Sequence, residues 1–391
     1  MLFSFAVIFL SGVSFGILTS KLRLPSLIGM IFAGIVTGPY VLNLLDASTL
    51  GIAPDLRRFA LAVILTRAGL ALDMGELKQV GRPAVLLSFL PATFEIAGCV
   101  IIAPPLLGLT HLEAAVLGMV VAAVSPAVVV PRMLGLINQG YGTKQGIPQM
   151  IMAAASVDDV FVLVLFTAFT GLSATGNLSP FTFLTIPISI ICGILLGHLA
   201  GMLLAHLYGH AKLSPSYKTL LHLSSAFLLM TAEDFLAGLV PVSGLLSVMT
   251  MSVVVAKKEP RQAHELSSSF SSIWAGAEII LFVMVGVTVN PAYVKTAGLA
   301  AIAVIIGALM FRMAGVGESL VKTKLKRKER LFCMIAYTPK ATVQAAIGSL
   351  PLTMGLPCGH IVLTVAVLSI LITAPLGAYG IDMTYKRLLD S

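Results

Sequence analysis

Two adjacent carboxylates, Asp158 and Asp159, stand in "AAASVDDVFVL" (residues 153–163) and are the only charged residues between Ile147 and Leu172. Charges at bilayer depth are costly, usually partnered and usually functional. On a helix successive side chains point about 100° apart, so the two acids cannot pair with each other. One can face a cavity while the other faces a neighbouring helix. Such a pair titrates as a coupled unit. A proton and a hard monovalent cation then compete for the same oxygens, and that competition suffices for exchange if the site cannot cross the membrane empty. The rival structural role is a pair held permanently in salt bridges, for which two adjacent acids are seldom needed. An intramembrane aspartyl protease would need its aspartates on two helices, and no Gly-x-Gly-Asp is present.

Other charges lie in apolar runs: Arg67, Glu95, Glu278, Arg312 and Lys340. Arg312 needs a carboxylate, with Glu95 the expected structural partner and Asp158 the alternative. Lys340 is expected to neutralise the negative end of a half-helix, as a C-terminal cation does. Arg67 can reach outward from a helix end. Glu278 serves either a cavity or a local hydrogen bond. His198, His206 and His222 form no cluster and read as locally satisfied polar groups. The four cysteines show no metal-ligand spacing, and no cofactor is expected.

These residues sit in a chain of 391 residues that is 58% hydrophobic and 11% charged. That is too apolar for one soluble core, and the recurring runs of about 20 apolar residues favour a helical membrane bundle over a barrel. Thirteen spans are read, near 2–19, 26–44, 56–73, 83–107, 112–136, 148–173, 181–207, 216–234, 237–256, 267–287, 291–316, 330–350 and 360–385. Loops after odd spans, with the C-terminus and adjoining helix ends, carry 19 Lys and Arg, and those after even spans carry 3. This alternation sets the N-terminus outside and the C-terminus in the cytoplasm. It also accounts for the net charge of +8 without nucleic acid. The run "KTKLKRKER" (322–330) anchors topology, with anionic lipid as a further partner to consider.

The fifth span carries "VSPAVVVP" (124–131) and the twelfth "YTPKATVQ" (337–344). Proline removes a backbone donor and clashes with the preceding turn, so each helix should break at its Ser/Thr-Pro pair. Spans seven apart cross in opposite directions. Two matching breaks in inverted halves point to an inverted-repeat transporter. Ser125, Thr338 and the carbonyls freed at the breaks become candidate ion ligands beside the aspartates.

At this point a family resemblance is clear. "VSPAVVVPRM", "SVDDVFVLVLF" and "PKATVQAAIG" resemble the NHA-type members of the monovalent cation:proton antiporters, bacterial and animal. "LTRAGLALD" (65–73) is similar to a segment of many relatives. The resemblance implies an NhaA-like, all-α fold of about 13 helices, with helices 5 and 12 broken and crossing. A mobile core would be formed by about 83–173 and 291–385, with dimerisation through the remaining helices, all within one membrane domain spanning 1–391. It further implies a homodimer with elevator-like alternating access. Asp158 and Asp159 would bind the ion and the proton, Asp159 being the principal ligand of transported Na+ or Li+. Lys340 would be the basic residue after the second break. Arg312 occupies a position that is often Lys in the family, and an arginine does not act as a proton carrier. NHA-type relatives pair it with a helix 4 Glu, which maps onto Glu95.

The sequence therefore predicts a Na+(Li+)/H+ antiporter and not an enzyme. It is expected as a homodimer among membrane lipids, multi-pass in a bacterial plasma membrane. The alternatives are a K+/H+ exchanger of the same superfamily, a sodium-coupled symporter and a non-transporting membrane sensor.

Overall fold

The computed structural model describes the backbone except at residues 23, 72–80, 176–179, 212, 237–239 and 391; side chains at 156, 167, 168, 170–187, 234 and 291–297 also lie outside the description. The described residues form helices and turns and no strand. An apolar segment in a bilayer must satisfy its own backbone polar groups, which a helix does. The helices are α1 (Leu2–Lys21), α2 (Ser26–Thr37), α3 (Ala53–Ala71) and α4 (Arg82–Leu107, with a turn at Ser88). Next come α5a (His111–Val121), α5b (Pro126–Gln139), α6 (Ile147–Thr175), α7 (Pro180–His210) and α8 (Pro215–Leu236). Then follow α9 (Gly244–Lys258), α10 (Pro260–Thr288), α11 (Pro291–Ser319), α12a (Arg327–Ala336), α12b (Thr342–Ile347) and α13 (Gly359–Leu388), with short helical turns at Ala47–Gly51 and Leu350–Thr353.

All thirteen expected spans are helical over most of their described length. Among the described residues, eight segments are long and apolar enough to cross a membrane. The others fall short for visible reasons. The second and ninth have 12 and 15 helical residues, α3 carries Asp55, Arg57, Arg58 and Arg67, α8 carries Lys218, Glu233 and Asp234, and the twelfth is interrupted. The tenth begins at Pro260 and not near 267, because the polar stretch after Pro260 stays helical, with Gln262 and Glu265 both facing Lys218. Part of the "LTRAGLALD" segment, Leu72 and Asp73, lies outside the described residues.

Local chemistry sets the ends. Proline is the first residue of α5b, α8, α10 and α11, where its missing N–H costs nothing. Thr110 and Glu113 form a reciprocal capping box at the start of α5a.

The chain divides into two compact units. The first comprises Met1–Leu50, Asp73–Val162 and Phe282–Ser391. Within it small residues bring helices together: a Cβ at Gly315 would lie 2.8 Å from Pro91 Cα, and one at Gly98 2.8 Å from Phe311 Cγ, so α4 and α11 approach at two levels. The second comprises Gly51–Leu72 and Leu163–Leu281. There Gly193, Gly197 and Gly201 of α7 face α9, and a Cβ at Gly197 would meet Ser247 O at 2.3 Å. In this unit Arg67 lies over the Trp274 ring at 5.8 Å, so its cation does not need to reach outward. His222 is buried, with Nε2 3.0 Å from Ser252 Oγ.

Candidate ion-binding site

The site is built within the first unit, where both helix breaks meet. α5a ends at Val121, and Ser125, in extended conformation, precedes Pro126. α12a ends at Ala336 and α12b starts at Thr342, leaving Tyr337–Ala341 between them. The Ser125 N–H donates to Pro339 O at 2.8 Å, joining one break to the other through the backbone. Gly377 of α13 lets the second break approach, since a Cβ there would lie 2.5 Å from Pro339 Cγ.

Arg312, on α11 and fully buried, organises the centre. Its Nε donates to Tyr337 O at 2.8 Å, Nη1 to Glu95 Oε2 at 3.0 Å and Nη2 to Asp158 Oδ2 at 2.9 Å. Nη1 also donates to Ala122 O. The planar fork of five N–H groups suits this many acceptors. The guanidinium thereby covers one carbonyl from each broken helix as well as two acids. Both candidate partners inferred from sequence, Glu95 and Asp158, are engaged together.

Lys340 Nζ lies 2.7 Å from Glu95 Oε1 and 2.8 Å from Oε2. This differs from the expectation that the ammonium would serve a half-helix end. A full carboxylate charge in a buried site demands a cation more strongly than the partial charge of a helix terminus. The carbonyl at the end of α12a is taken by Arg312 instead. The Lys340 backbone N–H donates to Thr373 Oγ1 of α13 at 3.0 Å.

The charges thus alternate: Asp158, Arg312, Glu95, Lys340. Asp158 also accepts the Val124 N–H on Oδ2 at 2.8 Å. Asp159, on the adjoining face of α6, has no ion pair, and its buried Oδ1 has no hydrogen-bond partner among the described residues. Three acids meet two bases, and Asp159 is the surplus.

Of the two candidate hydroxyl ligands, Ser125 Oγ is buried without a partner among the described residues. Thr338 is partly buried and donates to Ile335 O at 2.8 Å. Sequence reasoning assigned nothing to Gln344 or Tyr337, although both fall within "YTPKATVQ". Gln344 donates to Ala123 O at 2.9 Å and Val121 O at 3.2 Å. The Tyr337 ring lies 5.4 Å from the Arg312 guanidinium carbon. A polar residue inside an apolar half-helix was the available signal for Gln344.

Two crossed, broken helices with a buried charge network at the crossing define a secondary carrier of the inverted-repeat type. Residues 5–386 match the transmembrane sodium/hydrogen exchanger family, and the chain belongs to that family. It is a multi-pass integral membrane protein. It is 33% identical to human sodium/hydrogen exchanger 9B2 over 378 residues, covering 94% of this chain and 70% of that one. It is 30% identical to human sodium/hydrogen exchanger 9B1 over 411 residues, covering 99% and 78% respectively. In fold it resembles the sodium proton antiporter MjNhaP1 from Methanocaldococcus jannaschii, with a TM-score of 0.86, 18% identity and coverage of 99% and 98%.

Proposed function

We propose that the chain exchanges Na+ or Li+ for H+ by alternating access, with cation and proton competing for the Asp158/Asp159 pair and Asp159 the member that loads and unloads. The carrying observation is that Asp159 alone among the five clustered charges lacks an ionic partner. An oxygen already held by a guanidinium is a poor place to load and unload a cation. A carboxylate without an ionic partner binds either a proton or a small hard cation, and oxygen donors suit Na+ and Li+. Ser125 Oγ is a further candidate ligand, and Thr338 a weaker one because its proton is committed to Ile335.

Asp158 has a different task in this reading. Arg312 and the Val124 N–H hold its Oδ2 in place, so it shapes the field around Asp159 and is not the group that exchanges its proton. One proton then exchanges for one cation, and the cycle moves no net charge. Arg312 covers the carbonyls at the two half-helix ends, and Lys340 neutralises Glu95, so that the three residues hold the two breaks in register. Residues 83–173 and 291–385 form the ion-carrying part and the remaining helices the dimerisation part of a homodimer among membrane lipids. The N-terminus lies outside and the C-terminus in the cytoplasm of a bacterial plasma membrane.

Proteoliposomes containing the wild type test this. Na+ and Li+ gradients are expected to drive proton movement, K+ much less, and an imposed voltage is expected to leave the rate unchanged. Proton movement driven by K+ alone, or by no cation, would overturn the assignment. A strong voltage dependence would overturn the one-for-one exchange.

A further inference from the structure

We propose that Gln344 is a positioning residue for exchange: by gripping the Ala123 carbonyl it fixes the plane of the 123–124 peptide and so aims the Val124 N–H at Asp158. This rests on the exchange reading above and deepens it.

The geometry runs through one rigid unit. A peptide group is planar, so the C=O of residue 123 and the N–H of residue 124 turn together. Gln344 Nε2 holds that C=O at 2.9 Å, and the N–H on its other side meets Asp158 Oδ2 at 2.8 Å. The same amide nitrogen holds Val121 O at 3.2 Å. Both neighbours are carbonyl oxygens, so the NH2 end of the side chain must face them.

Neighbouring peptide groups are fixed as well. Ala122 O accepts from Arg312, and the Ser125 N–H donates to Pro339 O at 2.8 Å. Gln344 completes a set in which each peptide unit from 121 to 125 is held by α11 or by the twelfth helix. Gln344 is 1% exposed, so water cannot replace it. Without it two carbonyls freed at the α5a break lose their donor, and the cost of leaving buried acceptors unpaired favours rotation of the peptide. Rotation would take the Val124 N–H off Asp158 and turn carbonyl oxygens towards the ion-binding space.

The test compares Gln344→Glu with Gln344→Leu in proteoliposomes, each rate taken relative to wild type at the same pH. Glutamate has glutamine's shape but donates a hydrogen bond only when protonated, and ionised it would face carbonyl oxygens. A positioning role predicts that Gln344→Glu exchanges Na+ for H+ near the wild-type rate at low pH and falls by ~10-fold or more as its carboxyl ionises. The loss should reverse within one preparation when pH is lowered. Gln344→Leu, which cannot donate, is expected to lose ~10-fold or more at every pH. A Gln344→Glu profile parallel to wild type, or irreversible inactivity at all pH in folded protein, would overturn the proposal. So would wild-type rates in Gln344→Leu. If Gln344→Leu does not fold, the reversible profile of Gln344→Glu decides alone, and a Gln344→Glu that fails to fold even at low pH also overturns it. Absence of exchange in the wild type would instead defeat the functional reading itself.

Discussion

The buried charges around Arg312 and the exposed ion pairs near the end of the chain use the same residue types to opposite effect. In the first group Asp158, Arg312, Glu95 and Lys340 are each at most 1% exposed. In the second, Arg132 Nε meets Asp382 at 3.2 Å with 23% and 55% of the two side chains exposed. Lys326 and Asp390 also pair, at 63% and 55% exposure. Water and salt screen the exposed pairs, and ordering their long side chains offsets much of the attraction. The buried charges have no such alternative. Removing one partner there strands a charge in the interior, which costs far more than the pair contributes. The contrast separates a network that must be kept whole from contacts that only tidy the helix ends. It also isolates Asp159, which adjoins the first group on α6 but is only partly buried and has none of its ion pairs among the described residues.

Substitutions can break this comparison at graded strength. Asp159→Asn is expected to abolish Na+-driven proton movement in proteoliposomes while melting stays at or above the wild-type temperature, because no ion pair is lost. A large fall in melting with exchange preserved would reverse the assignment of Asp159. Arg312→Gln removes the common partner of two acids and is expected to destabilise by about 3–5 kcal/mol, read as an early melting transition in detergent. Glu95→Gln, which leaves Arg312 and Lys340 sharing no acid, is expected to lower stability more than it lowers ion affinity. Unchanged melting with lost Na+ binding would make that pair functional and not structural.

Smaller effects belong to the exposed contacts. Arg132→Gln is expected to change stability by about 0–1 kcal/mol, and less at high salt. The Lys326 partner holds the Asp390 carboxyl below the usual carboxylate range, and Asp390 pushes the Lys326 ammonium up, in both cases mainly through their mutual hydrogen bond. The acid's contribution is therefore present above its unfolded pKa of about 3.9 and lost as pH falls below it; the base's is present below about 10.4 and lost as pH rises beyond it. Between these limits the pair is constant. Lys326→Gln should leave the shape of the melting-against-pH curve unchanged from pH ~5 to ~9. A new slope in that window would mean the pair is coupled to a group titrating there.

Much of the site was legible because charge in an apolar run is rare. Asp158, Asp159, Glu95, Arg312 and Lys340 announced themselves by type alone. The two prolines marked the breaks, and the alternation of basic loops gave the span count. What the sequence withheld were the acceptors. Every residue has a backbone carbonyl, so nothing in the letters says that Val121, Ala122 and Ala123 would be the ones freed and re-covered by Gln344 and Arg312. Lys340 was misdirected for a related reason. Its neighbour along the chain is a helix end, whereas its partner in space, Glu95, is 245 residues away. The start of α10 was set too late because residues 261–266, largely polar, were left outside the span. The inclusion of α1 and α2 in the same compact unit as the ion-binding residues also had no sequence signature.

The central claim is that one acid, Asp159, exchanges its proton for the cation while Asp158 stays held by Arg312. Proton release on Na+ addition to purified protein in weakly buffered detergent solution tests this most directly. The account predicts about one proton released per Na+ bound by the wild type and none from Asp159→Asn. Release of about two protons by the wild type, or undiminished release by Asp159→Asn, would contradict it.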